Sequence, residues 1–323
     1  MSAPAAAGAG VVPTASAPAP PRRSARRRPG SAAPYLFMVP AVVLFLAFLA
    51  VPTAYAIYLS TRSLRVQGGG LGRRREVFVG LENYRSALSD PALWAGAQRL
   101  LVYAVLVIPL MLGLALLFAL LLDLPRARWA TFARLAIFMP YAVPGVVATL
   151  LWGFLYLPGV SPIHWIAERF GSDGPDFFTT TTIFGSVANI AVWGGVGFNM
   201  VVLYTTLRSV PAEIYDAARV DGCSERQIAL RIKIPLLAPA LVMTTVFSVI
   251  ATVQVFNEPT TLRPLTNAIS STWVPLMKVY QDAFVTDDVN SAAATSVVIA
   301  AVTLLLILGA LRFLQKRAFG EDR

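Results

Sequence analysis

Six stretches of this chain, at residues 35–59, 100–122, 135–157, 183–207, 236–257 and 291–311, are apolar and free of Asp, Glu, Lys, Arg and His. A hydrocarbon core of about 30 Å takes around 20 apolar residues to cross as a helix. In lipid only helices and closed barrels satisfy their own backbone. The runs are continuous rather than alternating, which selects helices over barrel strands. The expected fold class is therefore all-α, a polytopic membrane protein of six transmembrane helices. Composition agrees, because 56% of the 323 residues are hydrophobic and 14% are charged, against about a quarter charged in soluble domains.

The net charge of +10 does not point to nucleic acid, since no soluble domain is present to carry a basic patch. It records topology instead. Arg22, Arg23, Arg26, Arg27 and Arg28 precede the first run, and Arg126, Arg128 and Arg134 lie between the second and third. Arg208, Arg219, Arg226, Arg231 and Lys233 lie between the fourth and fifth, and Arg312, Lys316, Arg317 and Arg323 follow the last. Across the membrane stand Arg169, Arg263, Lys278 and a basic connection at residues 60–99 that includes Arg73, Arg74 and Arg75 beside Gly68, Gly69 and Gly70. Both termini are expected in the cytoplasm of a multi-pass plasma-membrane protein. Residues 1–33, rich in Ala, Pro, Ser and Arg, are expected to be a disordered basic cytoplasmic arm, and residues 34–323 the six-helix domain.

One cysteine, Cys223, and one histidine, His164, leave no multi-cysteine or histidine-based metal site. His164 and Glu168, at helical spacing in an outer connection, are expected at the surface. No Ser/His/Asp set and no paired carboxylates fall within the spans, so an intramembrane enzyme is disfavoured. Gly68, Gly69 and Gly70 lack a following Lys-Ser or Lys-Thr, so no phosphate-binding loop is present. No cofactor is expected on this chain.

The connection at residues 208–235 has more structure in it. Pro211 suits the opening of a helix, Asp221 and Gly222 a break, and Ser224 with Gln227 a capping box that restarts the helix. Pro235 marks the entry to the fifth span. Ile214, Ala217 and Ala218 give the first short helix a small apolar face among charges such as Glu213 and Asp216. Such a helix either docks into a socket on a soluble partner or lies on the membrane surface as a connector.

This loop resembles the signature of binding-protein-dependent ABC importer permeases. That signature is an acidic residue and two alanines, three residues, glycine, nine residues, then Ile-x-Leu-Pro. Here Asp216, Ala217 and Ala218 are followed by Gly222 and by Ile232, Lys233, Ile234 and Pro235 with both spacings intact. Aspartate stands for the usual glutamate and isoleucine for the usual leucine. Pro40 and Pro52, the run Gly80, Leu81, Glu82, Asn83, Tyr84, and the run Phe256, Asn257, Glu258, Pro259 are similar to the carbohydrate-uptake branch. Within that branch the likeness is to the first permease of maltose-type and glycerol-3-phosphate-type systems. Leu262, Arg263, Pro264, Leu265 and Thr266 replace a Thr-x-Gly-Gly-Pro-like stretch common there.

The resemblance implies a type I ABC importer permease fold, and a heterodimer with a second homologous permease subunit. It also implies a cytoplasmic ABC ATPase dimer that hydrolyses ATP and an extracytoplasmic solute-binding protein that delivers a sugar-like solute. The loop would be the coupling element, carried by Glu213, Asp216, Ala217, Ala218, Asp221, Gly222, Ile232 and Pro235, with Asp216 meeting an arginine of the ATPase. In the spans, the strongly polar amides are Asn189 and Asn199 in the fourth, and Gln254 and Asn257 in the fifth. They should face helix neighbours or a wet cavity. Gln254 and Asn257, three apart, are expected on one helix face. Trp193 and Phe198 add aromatic surface on which sugar rings pack, and alignment with the maltose permease puts Gly195 and Phe198 on solute-contact positions. The alternative is an ion-gradient-driven secondary transporter, a class that commonly buries ionisable groups in its spans.

Overall fold

The computed structural model describes residues 33–66, 74–125 and 129–319. The first 32 residues of the arm, Gly68–Gly70 and Arg73 of the basic cluster, and Arg126 and Arg128 lie outside them. Two compact units are present, Met1–Pro52 and Thr53–Arg323. In the first, α1 (Ala33–Phe45) carries Pro40 and passes into a wider π-type segment, Leu46–Ala50. Proline lacks the N–H that an α-helix returns to the preceding turn, and the ladder widens just before Pro52, which lies in α2 (Val51–Ser60).

The second unit opens with an antiparallel hairpin, β1 (Arg62–Val66) and β2 (Arg74–Phe78), in which Arg62 faces Phe78 and Val66 faces Arg74. These are the only two strands among the described residues. The Gly80–Tyr84 run then locks it in place. Gly80 takes φ +60°, and α3 (Glu82–Ser89) follows. Asn83 donates to the carbonyls of Ser60 and Arg62 at 2.9 and 2.6 Å, the Tyr84 and Ser60 hydroxyls meet at 2.5 Å, and Glu82 pairs with Arg65 at 2.6 Å.

Helix α4 (Pro91–Leu122) is the second span, nine residues longer at its start than the apolar run, so Arg99 falls inside it and donates to the Trp273 carbonyl. The third span is bent. Helix α5 (Ala130–Phe138) passes through a 3-10 turn, Met139–Ala142, and α6 (Gly145–Tyr156) leaves at 98° to it. Two prolines cause this. Pro140 removes a ladder donor, and Pro144 forces the preceding Val143 into extended backbone (φ −79°, ψ 127°).

Helix α7 (Pro162–Arg169) follows, capped by Ser161. It overturns the surface expectation for His164, which is 4% exposed. The helix turns Ile163, Trp165 and Ile166 outward, while the imidazole packs edge-on against Phe177, 5.9 Å between centroids. Gly174, at φ +77°, lies against the ring so closely that an added Cβ would come within 2.8 Å of His164 Cδ2. Glu168 is exposed, as expected.

Helix α8 (Ile183–Ser209) is the fourth span and the most buried, with Val187, Met200 and Leu203 fully enclosed. It packs along α4, whose Ala115 and Ala119 permit close approach. Gly197 allows α8 to meet the bend, since a Cβ there would collide with the Ile137 carbonyl oxygen and lie 2.7 Å from Phe138 Cα. Then come α9 (Ala212–Val220), α10 (Glu225–Ile228), a π segment Ala229–Lys233, and α11 (Ile234–Leu236). The fifth span is broken into α12 (Ala238–Val253) and α13 (Asn257–Leu262), with Gln254, Val255 and Phe256 outside either helix. Helix α14 (Pro275–Tyr280) leads to α15 (Val289–Phe319), the last span. Among the described residues, five helices are long and apolar enough to cross a bilayer, six spans when the bent pair is taken as one. The expected count and class hold. The boundaries differ at the fifth span, which runs from Ala238 to Leu265 and so takes in Glu258 and Arg263, beyond the charge-free run that ends at residue 257.

Candidate functional site

Both helix breaks wall one cavity. Its volume is about 570 Å³, within the range of small-molecule pockets. Pro140, Tyr141 and Val143 of the bend line it, as do Gln254, Val255, Phe256, Asn257 and Glu258 of the broken fifth span. Irregular backbone at membrane depth is tolerated only where it is buried in protein or borders water, so both breaks fit a wet passage. Helix α8 contributes Gly194, Gly195, Phe198 and Asn199, and α4 contributes Tyr103 and Met111. Phe198 stacks on Tyr141 at 5.1 Å between centroids. Asn199 donates to the Gly195 carbonyl at 2.9 Å, and its Oδ1 is buried with no partner.

Five of the seven pathway residues named from sequence, Gly195, Phe198, Asn199, Gln254 and Asn257, thus converge on this cavity. Gln254 and Asn257 do so across a break rather than on one helix face, because the ladder ends at Val253 and restarts at Asn257. The other two lie elsewhere. Asn189 donates to the Tyr156 hydroxyl at 3.0 Å, and Tyr156 in turn donates to the Ser186 carbonyl, which ties the third span to the fourth. Trp193 packs edge-on against Trp152. Residues missed in the sequence include Tyr103, Tyr141 and Ser248, which are unremarkable in an apolar run, and Glu258. The signals available were the two prolines of the third span and the acid next to Asn257.

The 208–235 loop folds as the spacing implies. Pro211 precedes α9 as its N-cap. The helix ends in a Schellman turn, with the Gly222 N–H donating to the Arg219 carbonyl and the Cys223 N–H to the Ala218 carbonyl. Gly222 holds φ +83°, a conformation that suits glycine. Ser224 and Gln227 complete the capping box. The apolar face divides in two. Tyr215 and Ala218 turn inward onto Ile228, while Ile214, Ala217 and Val220 stand exposed beside Glu213, Asp216 and Asp221. Asp216 already has an arginine, since Arg219 Nη1 lies 2.7 Å from it and Arg219 Nε 2.8 Å from Glu225. The hydrogen bond to Glu225, with that to Asp216, raises the guanidinium above its ordinary pKa.

Beneath the loop Lys233 is buried. Its Nζ donates to Asp123 Oδ2 at 2.7 Å, with side chains 3% and 4% exposed. The ammonium also lies 4.9 Å from the centre of the Tyr215 ring, and Arg208 stands 3.9 Å from Asp123. Burial, and then the charge of Asp123, raises the pKa of the Tyr215 phenol. Asp123 is the C-cap of α4, so one ion pair ties the second span to the approach to the fifth. Ile232 is half-buried against the inner face of α9, and Pro235 is exposed. Among the described residues no group of three His, Cys, Asp or Glu side chains could hold a metal ion.

The family model for "Binding-protein-dependent transport system inner membrane component" matches residues 94–319. The chain is 31% identical to the sn-glycerol-3-phosphate transport system permease protein UgpA of Brucella abortus over 293 residues, which is 90% of this chain and 97% of that one. It is 30% identical to the osmoprotective compounds uptake permease protein GgtC of Synechocystis over 240 residues, 69% of this chain and 78% of that one. A chain in the crystal structure of a bacterial alginate ABC transporter, in complex with an alginate pentasaccharide-bound periplasmic protein, superposes with a TM-score of 0.74. That match is at 17% identity over 88% of this chain and 95% of that one, and it shows the fold to be that of an ABC importer permease. By the family model and those relatives, the chain belongs to the binding-protein-dependent transport system inner membrane components, the permease subunits of ATP-driven importers, and it is a transport component rather than an enzyme or a gradient-driven carrier.

Proposed function

We propose that this chain forms one half of the solute path of an importer for a sugar-like solute, driven through the 208–235 loop. The observation that carries this reading is the placement of the loop between the two helices that wall the cavity. Helix α8 ends at Ser209 and α12 begins at Ala238, so whatever displaces the loop moves both cavity walls. The exposed edge of α9, with Ile214, Ala217 and Val220 between acids, suits a cleft on a soluble partner. In this reading the loop and both termini face the cytoplasm, an ATPase dimer receives the loop and hydrolyses the ATP, a second permease completes the path, and a binding protein delivers the solute from outside. The relatives' names, glycerol phosphate and osmoprotective compounds, put small polyhydroxylated solutes first. The amides of Asn199, Gln254 and Asn257 can donate and accept towards hydroxyls, and the Phe198–Tyr141 stack offers ring faces to a sugar's C–H face.

The test is uptake by the complete importer in proteoliposomes with its binding protein. Replacing Gly222 with tryptophan should abolish ATP-driven uptake while membrane insertion stays normal. Asn257→Ala and Gln254→Ala should each shift the KM for solute. Normal uptake with the first variant would remove the loop from the mechanism, and unchanged kinetics with the other two would remove the fifth span from the path.

A further inference from the structure

Resting on the solute path proposed above, we infer that this cavity admits uncharged polyhydroxylated solutes and rejects phosphate esters and carboxylated sugars, with Glu258 as the residue that sets the charge selectivity. Glu258 is the one acidic residue in the cavity wall, and no Lys, Arg or His lines it among the described residues. No cation pairs with Glu258 there either. The remaining polar lining comes from Tyr103, Tyr141, Asn199, Ser248, Thr252, Gln254 and Asn257, all of them neutral hydrogen-bonding groups.

The described cations that could have served an anion are placed elsewhere. Lys233 is bound to Asp123, and Lys278 to Asp90 and Asp282. Arg99 donates to the Trp273 carbonyl, and Arg134 lies over the Tyr204 ring. Arg263, five residues beyond Glu258, is exposed on a 3-10 turn outside the lining. An anion entering this cavity would shed water without gaining a cation, and would do so beside an acidic side chain that no cation neutralises. A sugar meets the opposite situation. Adjacent hydroxyls can both donate to one carboxylate, which accepts through two oxygens, and a charge-assisted bond of that kind is stronger than one to an amide.

Thiol chemistry reads the cavity's charge without knowledge of the solute. Ala251→Cys lines the wall and is exposed to it; Cys223, the one native thiol, is replaced by serine. In the assembled importer, the new cysteine should react about tenfold faster with cationic trimethylammonium-ethyl methanethiosulfonate than with the anionic sulfonatoethyl reagent, after correction for their rates on a free thiol. Glu258→Gln should abolish that preference. Equal corrected rates in the wild-type background, or a preference that survives Glu258→Gln, would overturn the assignment. A second arm uses the intact importer and radiolabelled sn-glycerol 3-phosphate, which should not accumulate on addition of ATP; accumulation would overturn the selectivity. Failure of the transport reading itself looks different: the importer would accumulate neither neutral sugars nor phosphate esters with ATP, while the reagent ratio would still report the cavity's charge.

Discussion

The two ends of the second span are held by the same pair of residue types, and they are held differently. Asp90 caps the start of α4, where its Oδ1 accepts from the Ala92 N–H at 2.7 Å. A carboxylate there also faces the favourable end of the helix dipole. Its other oxygen takes Lys278 at 2.8 Å, but Lys278 has a second partner, Asp282, at 2.7 Å, so the cation keeps a counter-ion if either acid is lost. Asp123 sits at the far end, where the dipole disfavours an acid, and is almost wholly enclosed with Lys233. Arg208, at 3.9 Å, is its only other cation among the described residues and is largely exposed. One end is redundant, with two acids on one lysine. The other joins residues 110 positions apart through a single close contact.

The comparison breaks first at Lys233. Lys233→Met leaves Asp123 buried beside a helix C-terminus and should cost about 3–5 kcal/mol. Thermal unfolding of the purified permease in detergent measures this, and adding Asp123→Asn should recover most of the loss, since removing both charges is far cheaper than stranding one. A loss below about 1 kcal/mol would mean that Arg208 substitutes for the lysine and that the two ends are alike.

Asp90→Ala should cost less, about 1–2 kcal/mol, through the lost cap, because Lys278 retains Asp282. If it equals Lys233→Met, the redundancy has no energetic content. The smallest effect is that of acid. Burial alone would raise the pKa of Asp90, but the Lys278 hydrogen bond and the Ala92 N–H outweigh it and hold the carboxyl below its ordinary 3.8. A group depressed in the folded state stabilises fully above its unfolded value and loses that contribution as pH falls through the folded one. The stability gap between wild type and Asp90→Asn should therefore be constant above about pH 5 and close below about pH 4. Lys278 shifts the other way, since its acids outweigh desolvation and raise it. Its contribution is intact at neutral pH and is lost only in alkali, above its ordinary 10.5.

The difference between the two ends was not legible in the chain. Spans show in sequence because lipid imposes one composition on about 20 consecutive residues, and the loop shows because Pro211, Gly222 and Ser224 act on their nearest neighbours. The cavity was half legible: Asn199, Gln254 and Asn257 stand out as amides in apolar runs, whereas Asn189 stands out equally and serves a helix contact instead. The Asp123–Lys233 pair leaves no local mark. His164 was misread for a related reason, since the phenyl and glycine that enclose it, Phe177 and Gly174, come from a turn with no periodic pattern.

Gly197 has a mechanical meaning. With the Ile137 carbonyl resting where a side chain would otherwise stand, the third and fourth spans meet backbone to backbone, and no methyl group lies between them to act as a ball bearing. The elbow cannot straighten without tearing open a void along that seam. In the transport reading proposed above, the articulation therefore belongs at residues 254–256, where the α-helix of the fifth span is interrupted.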